Sequence, residues 1–222
     1  MQKVNKTPNK GNILSLLGQA ADRAYYPKPA GMVHSFYISG EITSCEEYTD
    51  WFDTIRNCGL DDTIMLHINS GGGDLFTAIQ FMRVLAETDA KVLASVEGAC
   101  MSAATMIFLC ADTWMISEHS MFMFHNYSGG TIGKGGEMYQ QLIHERKWSE
   151  NLVKGIYKDF LSEEEIISIL DNKDIWMDGK EVMKRLNAKF QKKIKVHDAE
   201  GKLIKEPVLN KVRSKKQEQK AV

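Results

Sequence analysis

Ser102 lies in "SVEGACMSAATM", a stretch rich in small residues, at the point where an apolar helical pattern begins. A serine at a helix start is either a cap, whose oxygen accepts a backbone N–H, or a nucleophile. A nucleophilic serine needs a base, an acid to orient that base, and N–H donors for the oxyanion. The chain offers a candidate for each. "INSGGGDL", residues 68–75, ends a strand and opens a helix. Its consecutive glycines let backbone N–H groups approach a substrate with no Cβ in the way. A phosphate cradle would need the Lys and Ser/Thr of a P-loop, and these do not follow the glycines. "MFMFHNYSGG" puts His125 at the end of an apolar strand, before a glycine-rich turn. His34, His67, His119, His144 and His197 lack that setting. "LDNKDIWMD" offers Asp171, Asp174 and Asp178 as the acid. Each feature also has a plain structural reading: a strand–helix turn, a core histidine, a capping or surface carboxylate.

Composition narrows the classes. The chain has 222 residues, 43% apolar and 26% charged, which suits one soluble domain with appendages. A formal charge of −1 points to neither nucleic acid nor a membrane surface as partner. No apolar run approaches the roughly 20 residues of a membrane span. "GNILSLLGQAA" is too short and too polar for a signal peptide. Cys45, Cys58, Cys100 and Cys110 show neither C-x-x-C spacing nor histidines at zinc-ligand spacing. They read as reduced, buried thiols of a cytoplasmic protein, and neither metal nor cofactor is expected. The charge is uneven: residues 189–222 hold eleven Lys/Arg against four Asp/Glu, leaving −8 on the preceding 188 residues. Residues 189–222 read as a basic C-terminal tail, with a hairpin expected in "KKIKVHDAEGKLIKEP". Residues 1–32 read as an N-terminal extension, broken from the core by Pro27 and Pro29.

The elements that must position the candidate groups lie over 33–188. "VHSFYISGEI", "TIMLHIN", "KVLASVEG", "TWMIS" and "MFMFHNY" read as strands. "CEEYTDWFDTIRNCG", "DLFTAIQFMRVLAE" and "SAATMIFLCA" read as helices between them. A long helix is expected over 136–160, with Met138, Leu142, Ile143, Leu152 and Ile156 on or near one face. Alternating strands and helices imply an α/β domain with a mainly parallel sheet.

The order Gly-Gly, Ser, His, Asp in these contexts resembles the proteolytic subunit of the Clp proteases. In that family an Asn-Ser-Pro-Gly-Gly segment supplies an oxyanion N–H and Gly-x-x-x-Ser carries the nucleophile. A strand-end His is the base, and an Asp before an aromatic is the acid. The corresponding residues here are Asn69 to Gly73, Gly98 to Ser102, His125 with Gly129 and Gly130, and Asp174 before Ile175 and Trp176. "FYISGEI" resembles the family's first core strand. The likeness covers roughly residues 33–188. Gly71 stands where the family has Pro, Ala103 where Met is common, and "HNYSGG" replaces His-Gln-Pro. "GKEVMKRLNAK" replaces the usual Gly-Leu-(Ile/Val)-Asp ending. These departures suggest a divergent member, such as the Clp-like proteases encoded by bacteriophages.

The resemblance implies a ClpP/crotonase-like fold: repeated β-β-α units, a mainly parallel sheet and a protruding long helix. It implies a serine endopeptidase with Ser102 as nucleophile, His125 as base, Asp174 as acid, and the Gly73 and Ala103 N–H groups as the oxyanion hole. It further implies protein or peptide substrates, homo-oligomeric heptameric rings and a Clp-family AAA+ ATPase as partner. Two other readings stand beside it. One is a phage head-maturation protease that processes scaffold proteins without an ATPase. The other is a crotonase-like enzyme acting on acyl-CoA, since that superfamily shares the fold.

Overall fold

The computed structural model describes residues 31–194, with side chains described to Lys189. The N-terminal extension and the hairpin expected in the basic tail lie outside the described residues. Strand β1 (Val33–Ile42) leads through a 3-10 turn (Cys45–Tyr48) into α1 (Thr49–Asn57). Then follow β2 (Thr63–Gly73), α2 (Leu75–Glu87), β3 (Lys91–Met101) and the short α3 (Ala103–Phe108). Strands β4 (Thr113–Ile116) and β5 (Met121–Phe124) precede the long α4 (Gly135–Tyr157). The order closes with α5 (Glu163–Leu170), β6 (Ile175–Asp178) and α6 (Gly179–Ile194). This last helix continues past the residue-188 boundary drawn from composition.

One six-stranded sheet runs β1-β2-β3-β5-β6, with β4 also paired to β3. All pairings are parallel except β5 with β6. Along β3, Leu93 to Val96 pair with β4 and Ala99 to Met101 pair with β5. Buried and less buried residues alternate along β2 and the first half of β3, the period-2 signature of a sheet with one covered face. Ile64, Leu66, Ile68, Val92, Ala94, Phe122 and Phe124 are buried core residues. Phe52 of α1 and Phe81 of α2 meet edge to face at 4.8 Å within the same core. The opposite face carries Val33, Tyr37, Met115, Met121 and Trp176, all exposed. A parallel sheet is ordinarily covered on both faces.

Helix α4 divides along its length. Its C-terminal half docks through Ser149, Val153 and Tyr157, which are buried. Its N-terminal half stands away from the core, with Tyr139, Leu142 and Ile143 exposed. Helices α5 and α6 are joined by Arg185, whose guanidinium donates to both Glu165 oxygens at 2.7 and 2.9 Å. Ser162 and Glu165 form a capping box at the start of α5, satisfying N–H groups that have no partner within the helix. Among the described residues no helix is long and apolar enough to cross a membrane.

The fold also gathers residues that sequence spacing left apart. His34, Cys58 and Asp62 bring potential metal-ligand atoms within 4.8 Å of one another. Two of the three have local structural partners. Asp62 accepts N–H groups from Met32 and Gly59, both at 2.8 Å, and Cys58 donates to the Thr54 carbonyl at 3.2 Å. The Gly59 and Met32 N–H groups hold the Asp62 carboxyl below the ordinary carboxylate range.

Candidate active site

Parallel neighbours end at the same edge of a sheet, and this brings the candidate groups together. Ser102 follows the last residue of β3, and His125 follows the last residue of β5. The two strands are adjacent, with Met101 opposite Met123. The Ser102 N–H donates to the Met123 carbonyl at 2.8 Å, which fixes the serine two residues from the histidine's own position on its strand. The result is a direct contact: His125 Nε2 lies 2.6 Å from Ser102 Oγ. That is hydrogen-bond distance for a nucleophile and its base.

The backbone at Ser102 is unusual. Its φ of 53° and ψ of −128° lie in a region that L-residues rarely occupy. Ser102 occupies the N-cap position of α3, but its side chain makes no capping bond. The hydroxyl faces the histidine instead. A sharp, strained strand-to-helix turn that presents a serine hydroxyl is the geometry of a nucleophile elbow.

The glycine run is not a simple turn. Strand β2 continues through Gly73, and Asp74 caps α2 by accepting the Thr77 N–H at 2.6 Å. Gly72 has φ 97°, and a Cβ there would lie 2.6 Å from Ser102 Cβ and 3.1 Å from the Ala103 nitrogen. Gly72 therefore keeps open the space beside Ser102 and the Ala103 N–H. Gly73 has φ 147° and borders β1, where a Cβ would meet the Ile42 carbonyl oxygen at 2.2 Å. The run is anchored by Ser70, whose hydroxyl donates to the Gly40 carbonyl at 2.5 Å and accepts the Gly72 N–H at 3.0 Å. Asn69 ties β2 to β3 by accepting the Ala99 N–H at 3.0 Å, in space that Gly98 leaves free. Ser70 and Gly72 were not singled out from the sequence. Their signal was available in the motif, but which glycine meets which neighbour depends on strand register.

Asp174 stands apart from the other two candidates. It is exposed, and among the described residues no hydrogen bond joins a carboxylate to His125. The antiparallel register pairs Phe124 with Ile175. Extending it by one residue sets His125 opposite Asp174. Directly opposed Cα atoms in such a ladder are about 4.5–5.5 Å apart. The other two aspartates have capping positions: Asp171 ends α5, and Asp178 accepts the Glu181 N–H at 2.8 Å at the start of α6. The same loop is held to the histidine segment by Asn126, which donates to Asn172 at 3.4 Å.

A small, largely apolar pocket opens beside His125. Leu75, Met106, Leu152, Val153 and Ile156 supply its apolar wall, with Tyr127 and Ser149 at polar points. Its floor is partly α4, so the long helix contributes to the site as well as protruding from the core.

A family model described as Clp protease matches residues 54–185. Among solved structures, a mutant of ClpP1 from Listeria monocytogenes matches with a TM-score of 0.53 and 19% sequence identity. The match covers 68% of this chain and 86% of that one. No curated protein matches. The likeness in structure shows a shared fold, mixed α/β with a mostly parallel sheet. The family match spans more than half of the sequence and includes Ser102, His125 and Asp174, and the chain belongs to the Clp protease family.

Proposed function

We propose that this protein is a serine endopeptidase in which Ser102 is the nucleophile and His125 the general base. The observation that carries this reading is the 2.6 Å contact between His125 Nε2 and Ser102 Oγ, made by a serine at positive φ. Ser102 Oγ attacks the scissile carbonyl carbon while its proton passes to His125 Nε2. The carbonyl π electrons move onto oxygen, giving a tetrahedral oxyanion. Collapse expels the amine, which takes the proton back from His125, and leaves an acyl-enzyme. Water, activated by the same histidine, then releases the acid product and regenerates Ser102.

The Ala103 and Gly73 N–H groups are the proposed oxyanion donors. Ala103 is the first residue of α3, where no preceding helical carbonyl accepts its N–H. The Gly72 N–H is committed to Ser70, and the β1 bond at this level runs from Asp74 to Ile42 at 2.7 Å. Gly73, between Gly72 and Asp74, is the proposed second donor. Asp174 is the proposed acid that orients His125, supported by the β5–β6 register. The apolar pocket beside His125 favours an apolar side chain next to the scissile bond. Conversion of Ser102 to Ala tests the core of the reading. It should abolish peptide cleavage and fluorophosphonate labelling while leaving the fold intact. Labelling that survives in Ser102→Ala would assign the nucleophile elsewhere.

Assembly into homo-oligomeric rings belongs to the same proposal. Two surfaces support it: the open sheet face with Tyr37, Met115, Met121 and Trp176, and the exposed Leu142 and Ile143 on α4. Large apolar side chains left exposed in such numbers are common at interaction sites. A Clp-family AAA+ ATPase is the proposed partner for folded substrates. Casein hydrolysis with and without such an ATPase distinguishes this from an ATPase-independent phage-type protease.

A further inference from the structure

The carbonyl of Ser102 accepts two hydrogen bonds from one residue. Thr105 donates its N–H at 2.9 Å and its hydroxyl at 2.6 Å. A threonine hydroxyl has a single proton, so the Thr105 oxygen is left as an acceptor. Tyr157 supplies the donor, its hydroxyl 2.8 Å from Thr105 Oγ1. The hydrogen-bond chain is thereby polarised: Tyr157 to Thr105 to the Ser102 carbonyl. Thr105 is fully buried and Tyr157 is 3% exposed. Burial holds the Tyr157 phenol above the ordinary tyrosine range, so it stays a proton donor.

A threonine bonding back to a carbonyl three residues earlier is common near helix starts and needs no catalytic explanation. The tyrosine is different. It comes from the last turn of α4, 52 residues away in sequence. Phenylalanine would fill the same space without the cost of burying a hydroxyl. The target of the chain is also specific. The Ser102 carbonyl and the Ala103 N–H are the two ends of one planar peptide unit. Fixing the carbonyl fixes where the N–H points. Two donors on the carbonyl also polarise the amide and strengthen the N–H as a donor.

We propose that Thr105 and Tyr157 are positioning residues that aim and strengthen the Ala103 N–H toward the oxyanion, linking the seating of α4 to the strained turn at Ser102. The inference rests on the reading of Ser102 as nucleophile and Ala103 as oxyanion donor.

The test compares wild type with Thr105→Val, Thr105→Ser, Tyr157→Phe and the double variant Thr105→Val/Tyr157→Phe. Three quantities are measured: kcat and KM for an unstructured peptide, the inhibition constant of a peptide aldehyde, and the urea midpoint. The aldehyde forms a hemiacetal with Ser102 that places an oxygen at the oxyanion position. Loss of a whole oxyanion donor costs about 10²–10³ in kcat, so a misaimed donor should cost about 10- to 100-fold. Thr105→Val should lower kcat by that factor with KM within about twofold, and weaken the aldehyde in proportion. Thr105→Ser retains the hydroxyl and should return to near wild type. Tyr157→Phe should lose a few-fold, because the Thr105 bond to Ser102 survives.

The double variant separates positioning from mere structure. It leaves no hydroxyl orphaned, so its urea midpoint should recover relative to Thr105→Val while kcat stays low. A kcat that recovers with the midpoint, or one unchanged in Thr105→Val, overturns the proposal. Fluorophosphonate labelling of Ser102 is followed throughout. If wild type is labelled at Ser102 but the variants behave as just described, only the positioning role fails. If Ser102→Ala still cleaves peptide, the nucleophile reading falls and takes the positioning role with it.

Discussion

Comparing Ser102→Gly with Ser102→Ala isolates the strain at the proposed nucleophile. Both variants lose the hydroxyl and its 2.6 Å contact with His125, so neither should cleave peptide. They differ in one respect, the presence of a Cβ at φ 53° and ψ −128°. Holding an L-residue there costs about 1–3 kcal/mol. Glycine escapes that cost but gives the unfolded chain more freedom, which offsets about 0.4–1 kcal/mol. The Cβ of Ser102 also borders Gly72 closely, so removing it introduces no clash. Ser102→Gly should therefore be more stable than Ser102→Ala by about 1 kcal/mol, a shift of about 2–4 °C in Tm for a domain of this size. Urea and thermal unfolding at matched protein concentration measure it, since assembly would make stability depend on concentration. A glycine variant no more stable than the alanine variant would refute the strained-elbow argument. The nucleophile assignment would then rest on the histidine contact alone.

The remaining predictions address the proposed acid, the proposed interface and an ion pair. Asp174→Asn should lower kcat by about 10³- to 10⁴-fold by holding the wrong histidine tautomer, with Asp171→Asn and Asp178→Asn much milder. Steady-state kinetics decides this, and a dominant effect at Asp171 would move the acid to the end of α5. Leu142 and Ile143 are each 50% exposed, and replacing both with Asp should split the proposed rings and cut activity. Activity should fall because Tyr127 and Thr131 tie the histidine segment to α4 through Glu145 and Gln141. Light scattering with a peptidase assay checks both effects, and a wild-type monomer with full activity would end the ring reading. The Arg185 guanidinium holds Glu165 below the ordinary carboxylate range. Its folded pKa is thus depressed, so the stabilisation is present above the unfolded value of about 4.3 and lost as pH falls through the folded value. Glu165→Gln should cost about 1 kcal/mol at neutral pH and flatten that acid limb, as followed by urea midpoints across pH.

Much of the site was legible because parallel strands share a polarity. Once "KVLASVEG" and "MFMFHNY" are read as neighbouring parallel strands, residues just past their ends must meet at one edge. Ser102 and His125 are such residues. The Asp174 expectation is less directly expressed: β6 runs antiparallel and brings that residue to the same edge, without a bond to His125. The helix positions were also readable, but the exact rotation of α2 was not. Phe81 and Val84 are fully buried there, while Ile79 and Met82 are only partly so.

The sequence by itself determined the alternation of strands and helices, the strand-end placement of the serine and histidine, and the need for glycines near them. These follow from local periodicity and from backbone conformations that only certain residues adopt. The tertiary structure alone decided the rest. It set Ser102 at positive φ, put Gly72 against the serine and Gly73 against β1, and left one face of the sheet open. It also carried the Tyr157 hydroxyl to Thr105 across 52 residues. Such contacts depend on strand register and helix rotation. Those are fixed by the summed packing of the whole core, and a local pattern of residues leaves them free.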